Sequence, residues 1–83
     1  MTSQNIRENN YYRTSDLNLA AVLSLDVPIE KVDRQNPAKI LFLFAESEQL
    51  RHLVDEFWKG QLRVEPKLYF SQLKNIKTRI YNS

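Results

Sequence analysis

The chain has 83 residues, of which 42% are hydrophobic and 27% charged, and its formal net charge is +2 at pH 7. A chain of this length forms one domain with a small core, and its apolar content argues against disorder over most of its length. The chain has no cysteine, which excludes disulfides, thiolate zinc sites and cysteine nucleophiles. It has only one glycine, which excludes glycine-rich phosphate loops.

The first ten residues, MTSQNIRENN, are polar and contain no apolar stretch of the kind found in signal peptides. We expect residues 1–10 to form a disordered tail and residues 11–83 to form a single domain. The longest unbroken apolar run covers residues 40–45, whereas a membrane helix needs about 20 such residues. The sequence therefore predicts a cytoplasmic protein that does not associate with membranes.

The first predicted elements are a short strand and a helix. Residues 11–14, YYRT, favour a strand, and Ser15 is placed to cap a helix that has Asp16 in its first turn. The helix pattern DLNLAAVLSL ends before Pro28. Arg13 precedes the helix N-terminus, which has the backbone N–H groups needed to hold an anion. The same residues also fit a plain strand followed by a cap, and both interpretations stay open.

Two strand patterns with a turn between them come next. Residues 28–34 (PIEKVDR) and 39–45 (KILFLFA) flank the turn sequence QNPA, which predicts an antiparallel hairpin. Alternation along the second strand puts its phenylalanines on one face, and Leu41 and Leu43 on the other. Because both faces are apolar, we expect both to be covered, either by helices or by a second copy of the protein.

A helix from Glu48 onward has the most regular pattern in the chain. Its apolar residues recur at i, i+3, i+4, i+7 and i+8, as in a core-facing helix: Leu50, Leu53, Val54, Phe57 and Trp58. We therefore expect Phe57 and Trp58 to pack in the core, and Gly60 to end the helix. Residues 61–64, QLRV, then form an extended segment or a short edge strand.

Pro66 suits the first position of the last predicted helix, where a missing N–H costs nothing. The expected inner face of this helix consists of Tyr69, Leu73, Ile76 and Ile80. A flank about 80° wide on its outer side alternates lysines with aromatic rings. The members of that flank are Lys67, Phe70, Lys74, Lys77 and Tyr81.

Positive charge concentrates in the C-terminal third. Residues 59–83 contain six cations against one acid, whereas residues 1–58 contain six cations against nine acids. Cations neutralise phosphates, and aromatic rings stack on exposed bases. The sequence therefore predicts a DNA- or RNA-binding surface made of Lys59, Arg63, Lys67, Phe70, Lys74, Lys77 and Tyr81, together with Arg13.

Two alternatives to this function stay open. The lysines could only solvate a helix, since no base-reading motif accompanies them. The doubly apolar strand favours a protein-interaction module instead, as a homodimer or as a small accessory subunit that uses its sheet.

Catalytic chemistry has little support in the chain. The only histidine, His52, has Glu48 and Glu56 four residues away on either side, a pattern more typical of a solvated helix face than of a metal site or a general base. No serine has an activating partner in the sequence. We therefore predict a non-enzymatic protein with no cofactor, no metal and no small-molecule substrate.

The patterns Y-x-T-x-D-L-x-L-A (residues 12–20), F-W-x-G-x-L-x-V (residues 57–64) and K-x-x-I-Y (residues 77–81) resemble a family of short domains of unknown function carried by bacteria and phages. The resemblance covers about residues 11–81, and it implies one compact domain whose context favours nucleic-acid transactions. It implies no catalytic residue. The expected fold is α+β, in the order β-α-β-β-α-α, with a third strand if residues 11–14 pair with the hairpin.

Overall fold

The computed structural model describes residues 10–81, so most of the expected tail lies outside the described residues. The elements are β1 (Tyr11–Thr14), α1 (Leu17–Leu23), β2 (Ile29–Asp33), β3 (Leu41–Ala45), α2 (Glu48–Trp58) and α3 (Pro66–Tyr81). The predicted α+β class and the order β-α-β-β-α-α are therefore confirmed.

The sheet has three strands in the order β1-β3-β2, and both pairings are antiparallel. The central strand, β3, is the apolar strand of the predicted hairpin. Tyr12 lies opposite Phe44, and Thr14 lies opposite Phe42, so residues 11–14 do supply the third strand. Because both edge strands run antiparallel to β3, they are parallel to each other, and α1 makes the crossover between them.

The core lies on one face of the sheet. Phe42 and Phe44 of β3 are buried there against Leu50 of α2 and Ile76 of α3. In α1, all five residues from 19 to 23 are buried, so this short helix is enclosed on nearly every side. A helix buried all round needs small side chains where its neighbours approach, and the alanines at 20 and 21 meet that need.

The helices pack on one face of the sheet, so the predicted helix cover of the opposite face is wrong, whereas cover by a second copy stays a prediction. Leu43 is only 7% exposed although it lies outside the core cluster that the helices share. Its register partners are Arg13 and Lys31, and the Lys31 Nζ atom lies 5.7 Å from the centroid of the Tyr11 ring. Since β3 separates the two edge strands, Lys31 reaches across it. Long polar side chains of the sheet therefore shield Leu43 through their aliphatic stems.

The cap of α1 is Asp16, and the prediction of Ser15 is wrong by one residue. The Leu19 N–H donates to Asp16 Oδ1 at 3.1 Å, and the Asp16 N–H donates to Thr14 Oγ1 at 3.0 Å. A carboxylate is stabilised at a helix N-terminus by the helix dipole as well as by this hydrogen bond. At the N-terminus of α1, where the sequence allowed an external anion to bind, the Asp16 carboxylate therefore accepts the hydrogen bond itself.

Gly60 ends α2 as predicted. Its φ is +71°, in the left-handed region, and two hydrogen bonds close the helix: Gly60 N–H to the Phe57 carbonyl at 3.1 Å, and Gln61 N–H to the Glu56 carbonyl at 2.9 Å. This pair of bonds is the Schellman arrangement. Residues 61–65 then run to α3 without joining the sheet, so the alternative of a short edge strand is wrong.

Replacing Gly60 with alanine should destabilise the domain by about 1 kcal/mol, because an L-residue in the left-handed region costs about 1–2 kcal/mol and the less flexible unfolded chain returns part of that cost. A Cβ atom there would meet nothing within 4 Å, so the expected cost is backbone strain and not a clash. Asparagine, which tolerates this conformation, should cost less. Urea unfolding of both variants measures the difference; equal stability of Gly60→Ala and the natural protein would contradict the assigned turn.

Candidate nucleic-acid interface

The start of α3 is fixed by the only acid of the basic third. Pro66 occupies the first helical position, as predicted. Glu65 accepts hydrogen bonds from the Leu68 N–H at 3.0 Å and the Lys67 N–H at 3.2 Å. Because its carboxylate caps the helix, Glu65 is held at the N-terminal end of α3, away from the lysines of the later turns.

The inner face of α3 is the predicted one. Ile76 is buried, and Tyr69, Leu73 and Ile80 pack against the core. The Tyr69 hydroxyl also donates to Asn18 Oδ1 of α1 at 2.9 Å. These contacts set the rotation of the helix about its own axis, and therefore decide which residues face solvent.

The C-terminal end of α3 is held by Arg34, which follows β2. Its guanidinium donates to the carbonyls of Ile80 at 3.0 Å and Arg79 at 3.2 Å. A cation at the last carbonyls of a helix is favoured by the helix dipole as well as by the hydrogen bonds. Arg34 thereby ties the last turn, which carries Tyr81, to the end of the hairpin.

With its two ends and inner face fixed, α3 presents what we call the basic flank: Lys67, Phe70, Lys74, Lys77 and Tyr81. Phe70 is 65% exposed and Tyr81 is 76% exposed, and all three lysines are exposed. Within residues 10–81, none of the three lysines of the basic flank forms an ion pair, whereas Lys59 is paired with Asp55. At a rise of 1.5 Å per residue, the flank extends about 21 Å along the helix.

The other three predicted binding residues lie outside this flank. Lys59, at the end of α2, pairs with Asp55 at 2.9 Å, and that hydrogen bond raises the pKa of Lys59. Arg63 is exposed in the segment between α2 and α3. Arg13 lies opposite Leu43 on the sheet face that the helices leave open, so the sheet separates it from α3. The structure therefore brings five of the eight predicted residues onto one surface.

The prediction that Trp58 packs in the core is wrong, since this residue is 64% exposed. It is the last residue of α2, where the core layer ends, and its ring meets the Phe57 ring edge-on at 5.1 Å between centroids. Burial raises the pKa of the Tyr12 phenol, an effect that the Trp58 side chain opposes and the carboxylates of Glu46 and Asp16 reinforce. Phe57, by contrast, packs against the core as expected.

The surface of α2 carries the single histidine of the chain. The His52 Nε2 atom lies 3.3 Å from Glu56 Oε2 on an exposed face of α2. Within the part of the chain that the structure describes, no three His, Asp or Glu side chains form a group suited to a metal ion. Among the same residues, no helix has the length and apolar character required to cross a bilayer.

Comparison with known proteins confirms that the chain belongs to a family of unknown function. The family described as "Domain of unknown function (DUF5659)" matches residues 9–82, so the chain belongs to this family. No curated protein and no solved structure matches it.

Proposed function

We propose that this family member binds single-stranded nucleic acid through the basic flank of α3 and catalyses no reaction. The observation that carries the proposal is the joint exposure of Phe70 and Tyr81 beside three lysines that form no ion pair within residues 10–81. Lysine ammonium groups bind phosphates, and each aromatic ring offers a face on which a base stacks.

The spacing of these groups favours a single strand over a duplex. Phe70 and Tyr81 are 11 residues apart, which is about 16 Å along the helix, with Lys74 and Lys77 between them. Bases in a duplex are stacked on each other, so their faces are closed to side-chain rings. The flank also lacks the Arg, Asn and Gln side chains that read base edges in the major groove. Binding should therefore depend weakly on sequence. The resemblance to domains of bacteria and phages favours a cytoplasmic nucleic-acid transaction as the context.

The test is a titration of labelled single-stranded and duplex oligonucleotides with the full chain at two salt concentrations. We expect tighter binding of the single strand, and an affinity that falls as salt rises. For three phosphate contacts, log K should change by about −2 per tenfold increase in salt, since each single-strand contact contributes about −0.7. A protein that binds no oligonucleotide at low salt would refute the proposal.

The alternative of a homodimer that pairs through the sheet has less support from the fold than from the sequence. The dimer is predicted because both faces of β3 are apolar. On the face that the helices leave open, however, Leu43 is only 7% exposed and lies between Arg13 and Lys31 of the edge strands. The dimer stays a prediction that light scattering checks. A protein that remains monomeric at high micromolar concentration would exclude it.

A further inference from the structure

A groove lies between the end of α2 and the start of α3, and no residue of the basic flank lines it. It has a volume of about 270 Å³, and its lining is mostly apolar: Val22, Phe57, Gly60, Leu62, Val64 and Tyr69. The lining combines one residue of α1 with the end of α2, the connecting segment and the start of α3. Gly60 leaves one side open, because a side chain there would meet nothing within 4 Å.

The size of the groove favours side chains of a protein partner over a small molecule. Sites for drug-sized ligands usually have about 300–1,000 Å³ and enclose most of the ligand. A groove of about 270 Å³ has room for one or two aliphatic side chains that project from a docked segment. Nucleic acid offers no comparable aliphatic groups.

Apolar surface continues from the groove into solvent on both sides. Each of the two aromatic rings that line it touches an exposed ring: Phe57 touches Trp58 at 5.1 Å, and Tyr69 touches Phe70 at 5.4 Å between centroids. Exposed aromatic side chains next to an apolar groove are typical of the anchor positions of protein interfaces.

The charges beside the groove select the partner. Arg63 and Lys67 are exposed, and each lies within two residues of a lining residue in the chain. Of the other charges nearby, Lys59 is paired with Asp55 and Glu65 caps α3. A second copy that met the groove with its own groove would bring the same cations to the contact and be repelled. A partner that carries carboxylates around its apolar residues would be attracted.

We propose that this groove docks an acidic amphipathic segment of another protein, whose aliphatic side chains enter between Phe57, Leu62 and Tyr69 while its carboxylates face Arg63 and Lys67. This mode is the helix-in-groove recognition by which an amphipathic helix lays its apolar face on a partner. The site shares Lys67 with the basic flank, but no residue of the flank lines the groove, and the inference does not rest on the proposed nucleic-acid binding.

The test uses the full chain and two designed 16-residue peptides. One peptide has leucine at i, i+3, i+4 and i+7 with glutamate at the solvent positions, and the other has lysine in place of every glutamate. Trp58 is the only tryptophan, so its fluorescence reports docking beside the groove. We expect saturable binding of the acidic peptide and at least about tenfold weaker binding of the basic one.

A matched pair of variants locates the contact. Val64→Glu places a carboxylate in the groove, and Leu68→Glu adds the same charge at an exposed site of α3 outside the lining. Val64→Glu should weaken binding of the acidic peptide at least about tenfold more than Leu68→Glu does. Since both residues are exposed, thermal unfolding should show both variants folded.

Three results would overturn the inference. One is no binding of the acidic peptide up to about 1 mM. Another is an equal loss in the two variants, which would indicate a general charge effect. The last is a dimer in light scattering that Val64→Glu dissociates, which would assign the groove to a second copy. None of these depends on the oligonucleotide titration, so the two proposals fail separately.

Discussion

Replacing Phe44 with alanine should lower the free energy of unfolding by about 3–5 kcal/mol, the usual cost of removing a buried phenylalanine side chain. Phe44 is fully buried on the central strand, where its register neighbours are Tyr12 on β1 and Ile29 on β2. Small domains have total stabilities of about 5–15 kcal/mol. The variant should therefore unfold at much lower urea concentration, and part of it should be unfolded without denaturant at 37 °C.

Phe70→Ala is the matched control, because it makes the same chemical change at a ring that is 65% exposed. We expect its stability to stay within about 0.5 kcal/mol of the natural protein. Urea unfolding followed by far-UV circular dichroism gives both values. If the two variants lost equal stability, the assignment of the core face would be wrong. The exposed ring should matter for binding instead, since a stacked base contributes about 1–3 kcal/mol.

The core that Phe44→Ala tests was largely predictable, because periodicity reports which residues share a face. The period of two along β3 identified Phe42 and Phe44, and the period of 3.6 along α3 identified Ile76. Periodicity does not show at which residue the buried part of an apolar face ends. Trp58 continues the apolar stripe of α2 but stands at the end of the helix, beyond the core layer, and its ring is therefore exposed.

Features that join distant parts of the chain were not predictable from the sequence. The shield over Leu43 requires Lys31 to cross the central strand toward Tyr11, which depends on the strand order β1-β3-β2. Arg34 caps α3 at two carbonyls, those of Arg79 and Ile80, which lie 45 and 46 positions further along the chain. Ser15 and Asp16 are both good cap residues, so the choice between them depended on where the helix begins.

The same limit separates the two candidate sites. The basic flank lies on one helix, so a count of 3.6 residues per turn was enough to place Lys67, Phe70 and Tyr81 together. The groove takes its lining from α1, α2, α3 and the connecting segment. Only the packing of Val22 against the α2–α3 joint brings these residues into one surface, and the sequence shows no pattern that joins them.

Changing both Lys74 and Lys77 to glutamine should weaken binding of a single-stranded oligonucleotide about 25-fold at 0.1 M salt. Each lost phosphate contact removes about 0.7 from the slope of log K against log salt, so two contacts remove about 1.4. Since the salt term vanishes at 1 M, this change in slope corresponds to about 25-fold in affinity at 0.1 M. The fold should be unaffected, since both lysines are exposed and glutamine is a good helix former. Measurement of the oligonucleotide affinity at several salt concentrations gives the change in slope directly.

The control for this prediction changes the same net charge elsewhere. Lys31 lies exposed opposite Leu43, on the sheet face that the helices leave open, and Arg51 lies on the exposed side of α2, where its ion pair with Glu46 is a long contact of 3.8 Å. The double variant Lys31→Gln, Arg51→Gln should keep the slope of the natural protein, because neither residue is on the basic flank. If both double variants lost affinity and slope equally, binding would follow net charge alone. The flank would then have no special role, and the exposure of Phe70 and Tyr81 would need another explanation.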